Sequence, residues 1–204
     1  MTKAPNPLLA TLVLSVCAAL GYVGYRVVVD RRAPAPGQET VPVSHTKLTD
    51  TLPSFRLDNL SGKPESIGQW RGKAMLINFW ATWCGPCRQE IPMLKQYQSQ
   101  HPSVQVVGIA VDSTPAVKSF AAKMKFNYPV LVGESEAMDA AASMGVDIVA
   151  FPFTVFVGPQ GHLLGMHTGE LHPEHLANLD AVLADLDAGR IGMNVARARL
   201  AGRM

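Results

Sequence analysis

The pattern of apolar and polar positions is clearest in the middle of the chain, where residues 74–79 are apolar except for Asn78. A run of this length that leads into Cys84-Gly85-Pro86-Cys87 is typical of a buried strand. The residues after Cys87 have helical spacing, and we expect this helix to continue to about Gln100. The pattern therefore predicts that both cysteines lie where a buried strand gives way to a helix.

The rest of the soluble region alternates between predicted strands and helices, which indicates an α/β protein. Residues 52–63 alternate apolar and polar positions around a turn at 59–62, which predicts a short N-terminal hairpin. Further strands are predicted at 104–111, 128–132, 153–157 and 162–167, and further helices from Thr114, at 136–144 and at 173–186. The strand at 104–111 should run parallel to the strand at 74–79, because a helix connects them.

The N-terminal region predicts a membrane anchor. Residues 8–25 contain no charged side chain, and residues 27–29 extend the apolar run past Arg26 to a length that spans a bilayer. We therefore predict a tail at 1–7, a transmembrane helix at 8–29 and a Pro-rich linker at 30–46. A cleaved signal peptide, a lipid-modified Cys17 and a buried core helix are the alternatives. The run exceeds a signal core of ~7–15 residues, which disfavours the first of them.

Composition and charge narrow the function. The 204 residues carry a formal net charge of +2, and 17% of them are charged, so nothing favours a nucleic-acid partner. With Cys17 inside the apolar segment, Cys84 and Cys87 are the cysteines of the soluble region, which suits a redox pair. The last segment, 189–204, is basic. We expect a solvated tail there, with binding to an anionic membrane surface as the alternative.

Cys84 and Cys87 have the chemistry of a disulfide-exchange site. The unpaired N–H groups and the positive end of the macrodipole at a helix N-terminus favour a thiolate over a thiol. Pro86 suits an early helical position, because the N–H that it lacks would have no helical partner there. Two alternatives stay open, a structural disulfide and a zinc site formed with His172 and His175.

The segment from Trp83 to Cys87, with Phe151-Pro152 further on, resembles the active site of the thioredoxin superfamily. The continuation from Cys87 through Pro92 resembles the membrane-tethered TlpA and ResA group of bacterial thiol-disulfide oxidoreductases, and the similarity covers roughly residues 50–188. It implies a thioredoxin fold with a mixed central sheet in a domain at 47–188, extended by an N-terminal hairpin and an inserted helix-strand unit.

The resemblance also implies the roles of individual residues. Cys84 and Cys87 would form the redox-active disulfide, and Pro152 would be a cis proline facing it, with a trans proline as the alternative. The supporting residues would be Trp83, as a packing and shielding group, together with Gly85, Pro86 and Phe151.

Glu90 is the candidate proton acceptor. Thioredoxins carry a buried acid at the position of Asn78 that takes the proton from the inner cysteine, and an amide cannot do so. Glu90 follows Cys87 by three residues, so it lies on the same helical face and is the candidate replacement. The alternative is a first-turn carboxylate stabilised by the helix dipole.

These features lead to an expected function. We expect a monomeric, membrane-anchored enzyme without metal or cofactor that reduces disulfides of exported proteins, with apocytochrome c as a candidate client and a membrane thiol-electron donor as its source of electrons. Its domain should lie outside the bacterial inner membrane, on the periplasmic side, although Arg26, Arg31 and Arg32 alone would favour the opposite orientation. A copper metallochaperone using His162 or His167, and a thiol oxidant, are the alternatives.

Overall fold

The computed structural model describes Tyr22, residues 47–147 and residues 150–201. The chain divides into two units, Met1–Ser44 and His45–Met204, and the description below concerns the second unit. The predicted anchor at 8–29, apart from Tyr22, and the predicted linker at 30–46 lie outside the described residues. Among the residues that are described, no helix has both the length and the apolar character needed to cross a bilayer.

The described residues form one seven-stranded mixed sheet, in the order β2-β1-β5-β4-β3-β6-β7. The strands β3, β4 and β5 are parallel to one another, and the outer pairs are antiparallel. The bounds are β1 Arg56–Asn59, β2 Pro64–Ser66, β3 Ala74–Trp80, β4 Val104–Val111, β5 Val130–Gly133, β6 Phe153–Val157 and β7 Leu163–Thr168. The predicted mixed sheet and the predicted N-terminal hairpin are thus confirmed.

The N-terminal hairpin owes its turn to Asn59. Its side-chain oxygen accepts hydrogen bonds from the backbone N–H groups of Ser61 and Lys63, at 2.8 and 3.1 Å. Gly62 has φ of +81°, a left-handed conformation that favours glycine. The hairpin joins the main sheet through β1, which pairs antiparallel with β5.

Five helices and a short 3₁₀ turn at Ile67–Trp70 cover the sheet in the described region. The helices are α1 Gly85–Gln100, α2 Thr114–Met124, α3 Ser135–Ser143, α4 Pro173–Asp187 and α5 Met193–Ala201. The side chains of α1, α2, α4 and α5 pack on one face of the sheet, which we call the dithiol face because both cysteines lie in its core. The side chains of α3 and of the 3₁₀ turn pack on the opposite face, which we call the apolar face.

The C-terminal segment differs from the prediction. Residues 193–201 are not a solvated tail but form α5, which buries Ala196 and Leu200 completely. Gly165 of β7 makes this possible, because a Cβ there would lie 3.1 Å from the Cβ of Leu200. Arg197 donates hydrogen bonds to the carbonyl oxygens of Leu163 and Asp50, at 2.9 and 3.1 Å. The burial of Ala196 and Leu200 and the hydrogen bonds of Arg197 thus hold α5 against the domain, although few residues of this segment are apolar.

Candidate active site

The strand-to-helix junction places both cysteines at the start of α1. Cys84 is the N-cap residue, and its sulfur accepts a hydrogen bond from the backbone N–H of Cys87 at 3.2 Å. This contact satisfies one of the N–H groups that a helix leaves unpaired at its N-terminus. Pro86 lies in the first turn, as predicted.

The two cysteines are joined by a disulfide, and their Cα atoms are 5.3 Å apart. Cys84 keeps 5% of its surface exposed, whereas Cys87 is completely buried under the junction. Cys84 is therefore the outer sulfur, the one that an approaching thiol or disulfide can reach first. The neighbouring Gly85 is exposed, and a Cβ there would meet nothing within 4 Å, so open space lies next to the disulfide.

The loop before Cys84 is held by Asp112, a residue that the sequence analysis did not identify. Its Oδ2 accepts hydrogen bonds from the backbone N–H of Thr82, at 3.1 Å, and from the Thr82 hydroxyl. Its Oδ1 accepts a hydrogen bond from the N–H of Ser113 at 2.7 Å. Asp112 directly follows β4, and the carboxyl end of β4 lies beside that of β3. Its position directly after a predicted strand could therefore have indicated that it lies near the loop before Cys84.

Glu90 lies in the interior, with 1% of its surface exposed. Its Oε1 accepts a hydrogen bond from Asn78 Nδ2, and its Oε2 accepts one from the N–H of Leu171, both at 2.7 Å. Asn78 Nδ2 also donates to Thr154 Oγ1 at 3.0 Å. Burial raises the pKa of Glu90 to about 7, against the opposing effect of these two hydrogen bonds.

This position excludes the alternative of a first-turn carboxylate. Glu90 is the sixth residue of α1 and points into the core, away from the N–H groups of the first turn. A carboxyl group with a pKa near neutrality is suited to proton transfer, because both of its forms are populated at physiological pH. Sequence spacing predicted that Glu90 and Cys87 share a face, and both lie buried on the dithiol face.

Aromatic side chains flank the predicted cis proline. The Phe151-Pro152 peptide bond is cis, and Pro152 is buried. Trp83 is 69% exposed, so it does not pack into the core, and its ring meets that of Phe151 edge-on at 6.0 Å between centroids. The Phe151 ring stacks in turn on Phe153, also at 6.0 Å. The residue before Cys84 and the residue before Pro152 are therefore in aromatic contact, with Trp83 as the exposed member of the pair.

The histidines named in the alternatives lie at or next to β7 and at the start of α4. His162 precedes β7 and is half-buried, whereas His167 lies within β7 and is buried. His172 and His175 lie at the start of α4, where the His172 N–H donates to His175 Nδ1 at 2.9 Å. Over the described part of the chain, no group of three or more His, Cys, Asp or Glu side chains is arranged to hold a metal ion.

Comparison with known proteins agrees with this geometry. The profile of the Redoxin family matches residues 47–183. Thioredoxin-like protein YneN of Bacillus subtilis is 32% identical over 125 residues, which cover 58% of this chain and 70% of that protein. Thiol-disulfide oxidoreductase ResA of the same species is 29% identical over 166 residues, which cover 78% of this chain and 83% of ResA.

A solved structure extends the similarity to the fold. The thiol:disulfide interchange protein of the thioredoxin family from Chlorobium tepidum is 31% identical, with a TM-score of 0.59. The match covers 67% of this chain and 97% of that structure. The described domain therefore has a thioredoxin-like fold with helices on both faces of a mixed sheet.

Proposed function

This chain belongs to the Redoxin family and is a thiol-disulfide oxidoreductase, and we propose that it reduces protein disulfides through Cys84 and Cys87. The observation that carries the proposal is the arrangement of the pair. Cys84 caps α1 and keeps 5% of its surface exposed, whereas Cys87 lies one turn further along the helix and is completely buried, on the same face as Glu90. An accessible sulfur can attack a substrate, and a buried one can resolve the resulting intermediate.

The reaction begins with the reduced enzyme. The Cys84 thiolate attacks one sulfur of the substrate disulfide, so that a bond forms between Cys84 and the substrate while the substrate S–S bond breaks. The released substrate sulfur leaves as a thiolate and takes a proton from water. The helix N-terminus around Cys84 favours the attacking thiolate, because the N–H groups there stabilise negative charge.

The second step resolves this mixed disulfide. Cys87 loses its proton, for which the Glu90 carboxylate is the proposed acceptor, and then attacks Cys84 Sγ. The bond between Cys84 and the substrate breaks, the second substrate thiol is released, and the enzyme is left with the Cys84–Cys87 disulfide. Two electrons have then passed from the enzyme to its client, and an external dithiol donor must restore the reduced pair.

The buried carboxylate favours the reducing direction. A strong oxidant has a reduced form stabilised by a very acidic thiol, and a carboxylate on the same face disfavours a second negative charge there. Gly85 and Pro86 favour the same direction, because reducing thioredoxins share this dipeptide. The exposed Trp83 and the adjacent Phe151 would form the surface that receives an extended client segment.

We further propose that residues 8–29 anchor the protein in a bacterial inner membrane, with the catalytic domain on the periplasmic side. The uncharged run from 8 to 25 supports the anchor. Clients would then be exported proteins, such as apocytochrome c, and the electron donor would be a membrane thiol transporter. Protease added to intact spheroplasts should cleave the domain, and protection of the domain would reverse this topology.

Trapping experiments test the roles of the two sulfurs. Cys87→Ser should accumulate a mixed disulfide on Cys84 when a disulfide substrate is added, because nothing can resolve it. Cys84→Ser should form a mixed disulfide much more slowly, since its remaining active-site sulfur, that of Cys87, is buried. Cys17→Ser serves as the control. Mass spectrometry of the adducts reads out the site. Absence of an adduct in Cys87→Ser, or equal adduct formation in Cys84→Ser, would contradict the proposal.

A further inference from the structure

The buried polar side chains of the described residues all lie in one place. They are Asn78, Glu90, Thr154 and His167. Asn78 of β3 pairs with Thr154 of β6, which pairs in turn with His167 of β7, so these three side chains form a row across the dithiol face. Asn78 donates hydrogen bonds to both Glu90 and Thr154, but the proposed mechanism assigns nothing to His167. Burial of a polar side chain lowers stability unless the side chain is hydrogen-bonded, so a buried histidine in this row suggests a specific role.

The hydrogen bond of His167 identifies its tautomer. His167 Nε2 lies 3.1 Å from the carbonyl oxygen of Glu170. A carbonyl only accepts, so Nε2 carries the hydrogen and donates it. Burial is the main cause that lowers the pKa of His167, and the nearby His175 and His172 act in the same direction. The neutral imidazole with hydrogen on Nε2 is therefore the form that fits this site.

The acceptor of His167 belongs to the same peptide unit that binds Glu90. The carbonyl of Glu170 and the N–H of Leu171 flank one peptide bond, and the Leu171 N–H donates to Glu90 Oε2 at 2.7 Å. A trans peptide is planar, so its C=O and N–H point in opposite directions and turn together. His167 and Glu90 thus hold one peptide unit from its two sides. Bonding at the carbonyl also polarises the unit and strengthens its N–H as a donor.

The same loop contacts a second part of the site. The N–H of Gly169 donates to the carbonyl oxygen of Pro152 at 2.8 Å. The loop from Gly169 to Leu171 therefore contacts both the cis proline and the buried carboxylate. The hydrogen bond between His167 of β7 and the Glu170 carbonyl oxygen in turn connects this loop to the sheet.

We propose that His167 is a positioning residue of the redox site, which orients the Glu170-Leu171 peptide so that its N–H binds Glu90. This inference rests on the proposed function, in which Glu90 accepts the proton of Cys87. Removal of the His167 donor lets the peptide turn, and the carboxylate loses one of its two hydrogen bonds. The packing of His167 against the His175 ring, at 4.1 Å between centroids, needs only a flat ring of similar size.

Two substitutions separate the donor from the ring. His167→Phe keeps a flat ring and removes the donor, whereas His167→Gln keeps an N–H donor at the end of a side chain of similar reach. In the full-length chain labelled with ¹³C at glutamate carboxyl carbons, the Glu90 signal is identified by its loss in Glu90→Gln. Because the Leu171 N–H stabilises the carboxylate, its loss in His167→Phe should raise the Glu90 titration midpoint by roughly one pH unit. His167→Gln should stay near wild type.

His175→Phe is the matched control, since it replaces the adjacent ring and makes no bond to the Glu170-Leu171 peptide. Its Glu90 midpoint should stay near wild type. An unchanged midpoint in folded His167→Phe, or an equal shift in His167→Gln, would overturn the proposal. If His167→Phe does not fold, ¹⁵N NMR of the wild-type imidazole decides, because hydrogen on Nδ1 in place of Nε2 is incompatible with the bond to Glu170. The titration needs no disulfide substrate, so failure of the proposed function and failure of this inference are distinguishable.

Discussion

The two faces of the central sheet differ in one respect, the burial of polar side chains. The apolar face is covered by α3 and the 3₁₀ turn, and its core consists of apolar side chains such as Ile77 and Ile109. The dithiol face carries the disulfide and the buried Asn78, Glu90, Thr154 and His167. Ile77 and Asn78 are consecutive in β3, so one strand serves both faces.

This difference indicates a division of roles. Burial of apolar area is the main favourable term in folding, and the apolar face contributes it without polar groups that need partners. The dithiol face contains a carboxyl group whose burial opposes ionisation, and a raised pKa of this kind suits proton transfer. Stability should therefore be sensitive to changes on the apolar face, and thiol chemistry to changes on the dithiol face.

The largest effect is expected on the apolar face. Ile77 is completely buried, so Ile77→Ala should lower the free energy of unfolding by about 2–5 kcal/mol through lost burial and the cavity left behind. Urea unfolding of the oxidised chain measures this. The rate at which Cys84 forms a mixed disulfide should stay near wild type while the protein is folded. A large fall in that rate would show that the two faces are not separate.

The next effect is the pH dependence of stability. The pKa of Glu90 is about 7 in the folded protein and 4.5 in the absence of the fold, so the folded state binds the proton more tightly. This contribution to stability is fully present below pH 4.5 and is lost as the pH rises through 7. The 2.5-unit difference corresponds to a loss of up to about 3 kcal/mol. Urea unfolding at several pH values should show the loss in wild type and a flatter profile in Glu90→Gln. Equal pH profiles of wild type and Glu90→Gln would contradict the claim that burial raises the pKa of Glu90.

A kinetic effect of similar size concerns the proton of Cys87. Glu90→Gln removes the proposed acceptor, so release of the second substrate thiol from the mixed disulfide should slow by about 100-fold. Stopped-flow absorbance with a chromogenic aromatic disulfide follows this step. Glu170→Gln is the control, because it removes a neighbouring carboxylate and leaves the one bonded to Asn78. An unchanged release rate in Glu90→Gln would leave Glu90 without a role in proton transfer.

The smallest effect is expected at the docked C-terminal helix. Arg197 binds Asp50 and the carbonyl of Leu163, but a third of its side chain is exposed. Arg197→Ala should therefore lower the free energy of unfolding by only about 1 kcal/mol. Lys118→Ala, on the exposed surface of α2, removes the same charge and should change it less. Equal effects of the two substitutions would mean that the arginine contacts do not hold α5.

Local patterns predicted the elements around the disulfide. The apolar run of β3, the cysteine pair and Glu90 all lie within residues 74–90, so local spacing alone relates them. The bond from the Leu171 N–H to Glu90 could not be predicted in this way, because the loop between β7 and α4 comes near α1 only through packing of the folded domain. The hydrogen bond from Thr82 to Asp112 was missed because these residues meet only through the pairing of β3 with β4. The docking of α5 depends on Gly165, which has no side chain to signal a contact.

The redox potential of the Cys84–Cys87 pair tests the central claim most directly. It is measured by equilibrating the full-length chain with mixtures of reduced and oxidised glutathione and counting free thiols. A reductant with a buried carboxylate beside its dithiol should have a potential near that of thioredoxin, about −270 mV. A potential near that of the oxidant DsbA, about −120 mV, would contradict the proposal that this protein reduces its clients.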